Sequence, residues 1–125
     1  MKKVLIIDDD ADLREAMKAV LSGAYELREA GSKKQALETL KTYTPDLVLL
    51  DVMMESNNAG FELAREIKNN EKLKAVKILM ITNIDNDMKM DFKKEAGDKD
   101  WLPVDDYIVK PIEPKALLTK IRKLL

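Results

Sequence analysis

Short runs of consecutive apolar residues alternate along this chain with longer segments in which apolar residues recur every three or four positions. Three runs have little polar interruption: KVLII from position 3, DLVLLD from 46 and AVKILMIT from 75. Such runs are typical of strands that are covered on both faces of a parallel sheet. Weaker strands are predicted for YELREA (25–30) and YIVKP (107–111), which makes five strands in all.

The intervening segments have the 3.6-residue periodicity of amphipathic helices. Five such helices are predicted, at ADLREAMKAVLSG (11–23), SKKQALETLKTY (32–43), FELAREIKNN (61–70), MKMDFKKEA (88–96) and EPKALLTKIRKLL (113–125). Asp10 and Ser32 are suited to cap the first two helices, and Gly23 is suited to end the first. Pro114 fits the first turn of the last helix.

One face of each helix is apolar and is expected to pack on the sheet. The residues predicted to face inward are Leu13, Met17, Val20, Leu21, Ala36, Leu37, Leu40, Tyr43, Leu63, Ala64, Ile67, Leu117, Leu118, Ile121 and Leu125. Strands that alternate with helices indicate an α/β fold, with a parallel sheet between two helical layers. We expect a single domain over residues 1–125, with no linker and no output domain.

The amino-acid composition says little about the fold, but it excludes several kinds of chemistry. The chain has 125 residues, 36% of them charged, and a net charge of −1 without a basic cluster, so direct nucleic-acid binding is not expected. Cys and His are both absent. Thiol nucleophiles, catalytic triads and imidazole ligands are therefore excluded, and a bound metal must be held by oxygen, which favours Mg²⁺, Mn²⁺ or Ca²⁺.

The N-terminal segment MKKVLII is too short in apolar residues for a signal peptide or a membrane-spanning helix. We therefore expect a cytoplasmic protein without membrane insertion.

Polar residues stand where the predicted strands end. Asp8 and Asp9 follow the first strand, and Asp51, Thr82 and Lys110 end the third, fourth and fifth. Each residue alone has an ordinary structural explanation, as a helix cap or a solvated side chain. In open parallel α/β sheets, however, ligands bind beyond the carboxyl ends of the strands. Because all five residues are expected at that edge, they form a candidate site.

Three crowded carboxylates require a cation, or some of them stay protonated. Mg²⁺ commonly binds one or two carboxylates together with a phosphate oxygen, which points to phosphoryl chemistry. Asp51 is then a candidate nucleophile that forms an aspartyl-phosphate. Lys110 and Thr82 are suited to contact phosphoryl oxygens, the first as a point charge and the second as a hydrogen-bond donor.

The motifs VLIIDDD, LVLLDVMM, ILMITN and YIVKP together resemble the receiver domain of two-component response regulators. The resemblance covers essentially the whole chain, with the motifs in the same order. It implies a flavodoxin-like (βα)₅ fold, a three-layer sandwich whose five-stranded parallel sheet has the order 2-1-3-4-5.

The resemblance also implies roles for individual residues. Asp51 matches the phosphoacceptor, which receives its phosphoryl group from a phosphohistidine. Asp9 matches the acid that binds Mg²⁺ directly, and Asp8 matches the acid that usually binds through water; Mn²⁺ is the alternative ion. The backbone carbonyl of Met53 matches the main-chain ligand of the metal.

Three further roles concern the fourth and fifth strands. Thr82 matches the switch hydroxyl, and Lys110 matches the lysine that binds the phosphoryl group. The Lys110–Pro111 peptide bond matches one that is usually cis. Tyr107 matches the aromatic switch residue that turns inward on activation, although simple packing on an edge strand explains it equally well.

Two segments depart from the family pattern. In DVMMESNNAG, Glu55 replaces a proline and Gly60 comes one residue late. Glu55 is either a solvated loop acid or a residue that adjusts metal affinity. The segment 97–106 is longer than usual and contains Trp101, the only tryptophan. Trp101 either covers the sheet edge or serves as an anchor for a binding partner.

Met53 and Ile84 occupy the two positions that, in receiver domains, tune hydrolysis of the phosphoryl group. Both side chains are apolar and neither can orient an attacking water molecule. We therefore predict a long-lived phosphorylated state.

The leading hypothesis is a stand-alone response regulator that accepts a phosphoryl group from a sensor histidine kinase or a histidine phosphotransfer protein. Phosphorylation would switch the surface formed by the fourth helix, fifth strand and fifth helix, for an unidentified protein partner. The domain is expected to be a monomer or a phosphorylation-dependent homodimer. It would catalyse only its own phosphorylation and dephosphorylation, and it would not be an enzyme with a diffusible substrate.

Two alternatives stay open. The first is a pseudo-receiver that binds partners without phosphorylation. It is kept because the loop after Asp51 departs from the family pattern. The second is a Mg²⁺-dependent phosphatase resembling the haloacid dehalogenase superfamily, whose D-x-D pattern can be matched to Asp8 and Asp10. The short chain and the absence of a cap domain disfavour this second alternative.

Overall fold

The computed structural model describes residues 1–51, 59–82 and 104–125. The elements in chain order are β1 (Lys3–Ile7), α1 (Ala11–Leu21), β2 (Glu26–Ala30), α2 (Lys33–Leu40), β3 (Leu47–Asp51), α3 (Ala59–Asn69), β4 (Lys77–Thr82), β5 (Asp106–Val109) and α4 (Pro114–Leu124). The helix predicted at 88–96 lies outside the described residues. So do Met53, Glu55, Ile84 and Trp101.

All five strands are parallel, and their order in the sheet is β2-β1-β3-β4-β5. The predicted flavodoxin-like fold is therefore confirmed. The order places β1 and β3 side by side at the centre, because the chain passes to β2 on one side of β1 and then returns to β3 on the other. This reversal opens a crevice at the carboxyl ends of the two central strands.

The strands β1, β3 and β4 are buried on both faces, as their uninterrupted apolar sequences predict, whereas the edge strands β2 and β5 are partly exposed. Side chains of Leu5, Ile7, Val48 and Leu50 pack with those from α2 and α3 in one core cluster. Alternate side chains of the same strands pack with α1 and α4 on the opposite face. The central strands are packed between two apolar layers, which restricts the movement of the residues at their carboxyl ends.

The helix boundaries follow local capping chemistry. The Asp10 carboxylate accepts hydrogen bonds from the backbone N–H groups of Asp12 (3.0 Å) and Leu13 (3.2 Å). The Ser32 hydroxyl accepts one from the N–H of Gln35 at 3.1 Å. Gly23, with a φ of 89°, follows the end of α1, a left-handed conformation that glycine adopts without steric cost.

Some predicted boundaries are wrong by a few residues. Helix α2 ends at Leu40 and does not continue to Tyr43, because the N–H groups of Lys41 and Thr42 bond three residues back and tighten the last turn. The Tyr43 ring is nevertheless buried, as expected. Helix α3 begins at Ala59 rather than at 61, and β4 begins at Lys77 rather than at 75.

Candidate functional site

The polar residues at the strand ends lie at the carboxyl edge of the sheet. Asp8 follows β1, Asp51 is the last residue of β3, Thr82 is the last of β4 and Lys110 follows β5. Asp8, Asp51 and Thr82 are buried, with exposed fractions of 0%, 3% and 0%, and no other polar side chain in the described ranges is buried to this degree. Burial of polar groups costs free energy unless they have partners. Three buried polar side chains at one edge therefore indicate a binding site.

Three carboxylates converge at this edge. One oxygen from each of Asp8, Asp9 and Asp51 lies within 4.8 Å of the others. We call these three groups the acidic cluster. Asp8 and Asp51 are buried, whereas Asp9 is exposed and closes the cluster on the solvent side. The separation is short enough for one ion to contact all three carboxylates, and their mutual repulsion favours such an ion.

The carboxylate of Asp8 is fully buried. Its Oδ1 accepts a hydrogen bond from the Asp10 backbone N–H at 2.9 Å. Its buried Oδ2 has no hydrogen-bond partner among the residues that the structure describes. Burial raises the pKa of the Asp8 carboxyl, and the Asp10 N–H, the positive charge of Lys110 and the side-chain contact with Asp51 offset this only in part. A partnerless buried carboxylate oxygen is the kind of atom that a hard cation or its water ligand would satisfy.

The donor set therefore fits Mg²⁺. Asp8, Asp9 and Asp51 supply only oxygen atoms, which suits a hard divalent ion and disfavours softer metals. A bound ion would supply positive charge that offsets the carboxylate repulsion and neutralises a phosphoryl oxygen. The carbonyl of Met53, implied as a ligand by the resemblance, lies outside the described residues.

Lys110 brings a positive charge to the same place. Its Nζ lies 3.6 Å from Oδ1 of Asp51, and its side chain is one-third exposed. The Lys110 backbone N–H donates to the carbonyl of Thr82 at 2.8 Å, which extends the β4–β5 pairing by one residue. The Lys110–Pro111 peptide bond is cis. The lysine is thus held beside the buried carboxylate, with its ammonium open to an approaching anion.

Thr82 and Tyr107 lie on the neighbouring strands. The Thr82 hydroxyl is buried and has no hydrogen-bond partner within the described part of the chain, so it has a donor to offer. Tyr107 lies opposite Met80 in the β4–β5 register and is half-buried against the α2–α3 core. The Lys120 ammonium lies 5.9 Å from the centre of the Tyr107 ring. Tyr107 therefore packs on the edge strand with an aromatic contact to α4.

One site residue was not predicted from the sequence. The Nη1 atom of Arg14 donates to the backbone carbonyl of Asp8 at 2.6 Å, and its Nε donates to Glu29 at 2.9 Å. The available signal was a long cationic side chain one helical turn after the acidic triplet. That signal is weak, because the acceptor is a main-chain carbonyl and sequence patterns do not reveal main-chain acceptors.

These features coincide with a known family. The family model for the response regulator receiver domain matches residues 4–122, and the chain belongs to this family. Phosphorylation and Mg²⁺ binding are general features of receiver domains, which are parts of two-component signalling systems.

The relatives include regulators about twice as long as this chain. It is 35% identical over 125 residues to the phosphate regulon transcriptional regulatory protein PhoB of Pseudomonas aeruginosa, covering 99% of this chain and 52% of PhoB. It is 34% identical to the DNA-binding response regulator MtrA of Mycobacterium tuberculosis, covering 99% of this chain and 50% of MtrA. The chain thus spans about half the length of these curated relatives.

Solved structures of similar length also match. The chemotaxis response regulator CheY4 of Vibrio cholerae superimposes with a TM-score of 0.85 at 28% identity, covering 100% of this chain and 99% of CheY4. A putative response regulator from Chloroflexus aurantiacus gives a TM-score of 0.83 at 29% identity, covering 98% and 96% of the two chains. Among the helices of the described segments, none is long and apolar enough to cross a membrane.

Proposed function

We propose that Asp51 accepts a phosphoryl group from the phosphohistidine of a sensor histidine kinase or a histidine phosphotransfer protein, in a reaction that depends on Mg²⁺. The observation that carries this proposal is the position of the Asp51 carboxylate. It is buried at the end of a central strand, within the acidic cluster and 3.6 Å from the Lys110 ammonium. A nucleophilic carboxylate and a cation for the incoming phosphoryl oxygens are therefore adjacent.

The chemistry is a direct transfer. An Asp51 carboxylate oxygen forms a bond to phosphorus as the bond between phosphorus and the imidazole nitrogen breaks. The imidazole keeps the electron pair of the broken bond. The Lys110 ammonium can pair with a phosphoryl oxygen during this transfer, and the Thr82 hydroxyl can donate to another. Such preorganised donors stabilise charge that shifts onto the phosphoryl oxygens.

The effect of phosphorylation would be a change of surface. In this proposal the Thr82 hydroxyl moves toward the phosphoryl group and Tyr107 turns inward. The surface that includes β5 and α4, together with the predicted helix 88–96, then binds a protein partner. The exposed face of β5, where Val109 is 38% exposed, gives such a partner apolar contact area. The domain would act as a switch and catalyse only its own phosphorylation and dephosphorylation.

Two uses of this switch are proposed. One proposed use is that of a single-domain response regulator of the kind that the chain matches in Vibrio CheY4. The match to half of PhoB and MtrA supports the alternative, a receiver joined to an output domain that binds DNA. The partners proposed for the domain itself are a histidine kinase or phosphotransfer protein and a protein target, as a monomer or a phosphorylation-dependent homodimer.

Phosphorylation with a small donor tests the proposal. The protein is incubated with acetyl phosphate with and without Mg²⁺, and the phosphorylated fraction is measured by intact mass spectrometry. We expect one phosphoryl group on the wild type with Mg²⁺, and none on Asp51→Asn. Asp12→Asn is the matched control, because Asp12 is exposed on α1 and should leave phosphorylation unchanged.

Three results would contradict the proposal. Phosphorylation that survives in Asp51→Asn would show that the acceptor is another residue. No phosphorylation of a folded, Mg²⁺-binding wild type would favour a pseudo-receiver, and turnover of a generic phosphate ester would favour a phosphatase.

A further inference from the structure

Arg14 donates hydrogen bonds both to the main chain of Asp8, in the acidic cluster, and to Glu29 on the edge strand β2. We infer that Arg14 is a positioning residue for the metal site: through the Asp8 carbonyl it holds Asp8 and Asp9 in the arrangement that binds Mg²⁺. The inference rests on the proposed function, because it assumes that Mg²⁺ binds the acidic cluster. It concerns a residue that contacts only the main chain of that cluster.

The main chain at Asp8 is held from both sides. Its N–H donates to the carbonyl of Ala30 on β2 at 3.1 Å. Its carbonyl accepts from Arg14 Nη1 at 2.6 Å, a short hydrogen bond of the charge-assisted kind. That carbonyl belongs to the planar peptide that joins Asp8 to Asp9. Fixing the carbonyl therefore fixes the direction in which the chain enters Asp9, the exposed member of the cluster.

The guanidinium is itself held in place. Its Nε donates to Glu29 Oε1 at 2.9 Å, and Glu29 also pairs with Lys18. These contacts lower the pKa of the Glu29 carboxyl, so Glu29 stays ionised. Gly31 leaves the space that the arginine occupies, because a Cβ atom there would lie 3.2 Å from Nη1. The Arg14 side chain is only 18% exposed, in keeping with a fixed orientation.

Two roles for Arg14 predict effects of opposite sign on metal binding. If Arg14 acted only as a nearby positive charge, it would repel Mg²⁺, and its removal would strengthen binding. If Arg14 positions the acidic pair, its removal lets the Asp8–Asp9 peptide reorient, and binding weakens. Loss of a residue that orients metal ligands typically reduces metal affinity by 10- to 100-fold. The sign of the change therefore separates the two roles.

The test measures Mg²⁺ affinity of the full chain by isothermal titration calorimetry, with Arg14→Met replacing the guanidinium by an uncharged side chain. We expect the Kd for Mg²⁺ to rise by about tenfold. Lys18→Met is the matched control, because Lys18 pairs with the same Glu29 and has no contact with the Asp8 carbonyl. Its Kd is expected to stay within about twofold of wild type. Circular dichroism without Mg²⁺ checks that each variant is folded.

Glu29→Gln supplies a second measurement that keeps Arg14 and removes the charge that anchors it. We expect a smaller rise in Kd than for Arg14→Met. If Arg14→Met does not fold, Glu29→Gln decides, and an unchanged Kd in that variant overturns the inference. An unchanged or lower Kd in folded Arg14→Met overturns it directly.

The outcomes also separate this inference from the proposed function. A wild type that binds no Mg²⁺ overturns the positioning role. A wild type that binds Mg²⁺ with the expected dependence on Arg14, but is not phosphorylated at Asp51, supports the positioning role and contradicts the proposed function alone.

Discussion

The Nζ of Lys110 lies 3.6 Å from Oδ1 of Asp51, although their strands, β5 and β3, are separated in the sheet by β4. The contact exists because both residues stand at the carboxyl edge, where a long side chain can reach across one strand. It places a partly exposed cation beside a buried anion. The same ammonium is near enough to Asp8 to offset part of the increase that burial causes in the pKa of that carboxyl.

Replacing this lysine should slow phosphorylation. Lys110→Met removes the ammonium and keeps a side chain of similar length. We expect the rate of Asp51 phosphorylation by acetyl phosphate to fall by at least about tenfold, because a charge-assisted contact to the phosphoryl group is lost. Lys120→Met is the control, since Lys120 pairs with Asp106 on β5. Equal rates for Lys110→Met and wild type would contradict the role given to Lys110.

Removing the charge of Asp8 should stabilise the metal-free protein. Asp8→Asn retains the shape of the side chain but not the buried carboxylate, whose Oδ2 has no partner in the described structure. We expect the free energy of unfolding at neutral pH to rise by about 1 kcal/mol, or Tm by about 4 °C. Mg²⁺, which should raise the Tm of the wild type, should have little effect on this variant.

The gain from Asp8→Asn should depend on pH in one direction. Burial raises the pKa of Asp8 in the folded state above its ordinary value of 3.8. The folded protein therefore binds the proton more tightly than the unfolded chain, and the stability of the wild type falls as pH rises above 3.8. The difference between variant and wild type should shrink as pH is lowered toward 3.8. A constant difference across pH, measured by urea unfolding, would contradict this account.

The adjacent acids Asp9 and Asp10 should separate into two roles. Asp10→Ala removes the α1 cap and should cost about 1 kcal/mol of stability, while Mg²⁺ affinity stays within about twofold. Asp9→Ala should weaken Mg²⁺ binding with little effect on the stability of the metal-free protein. Asp10→Ser, which can still cap the helix, should recover most of the lost stability. Thermal unfolding and calorimetry on the same samples measure both quantities.

Tyr43 should make the stability of the domain sensitive to alkaline pH. Its hydroxyl donates to Glu26 at 3.1 Å, and burial, followed by Glu26, raises the pKa of Tyr43 to about 12. The unfolded value is 10, so the contribution is complete below pH 10 and is lost as pH rises toward 12. Tyr43→Phe should cost about 1 kcal/mol below pH 10. The gap between the two proteins should close at higher pH.

The phosphorylated state is predicted to be long-lived. This prediction comes from the apolar residues Met53 and Ile84, which lie outside the described residues. Neither can orient a water molecule toward the phosphoryl group. Decay of phosphorylated protein, followed by mass spectrometry after removal of the donor, should take far longer than seconds. Met53→Asn, which introduces a polar side chain, should shorten the lifetime.

The sheet was predictable because its signal is strong. Runs such as VLII and LVLL carry no polar residue and are short, which is typical of strands covered on both faces. The order of the strands came from the family resemblance, because apolar runs carry no information about which strands are neighbours. The convergence of Asp8, Asp51 and Lys110 followed from the direction of parallel strands, which brings all carboxyl ends to one edge.

The details that escaped prediction depend on contacts between elements. Helix α2 ends at Leu40 because its last turn is tightened. Amphipathic periodicity does not show this, because Tyr43 is buried whether or not the helix reaches it. The hydrogen bond from Arg14 to the Asp8 carbonyl depends on how α1 is placed over β1 and β2. Such placement is a property of the packed structure, and no spacing rule in the sequence reveals it.

The burial of β1 and β3, the strands that lead to Asp8 and Asp51, provides a way to observe whether the acidic cluster has bound a ligand. Asp8 and Asp51 end the two central strands, in which residues 4–7 and 47–50 have no exposed surface. Backbone amides in such strands exchange their hydrogens chiefly when the whole domain opens. A ligand that binds only the folded state lowers the population of the open state. The amides of β1 and β3 should be the slowest to exchange. When a ligand binds the acidic cluster, their exchange rates should fall further, and they should fall together.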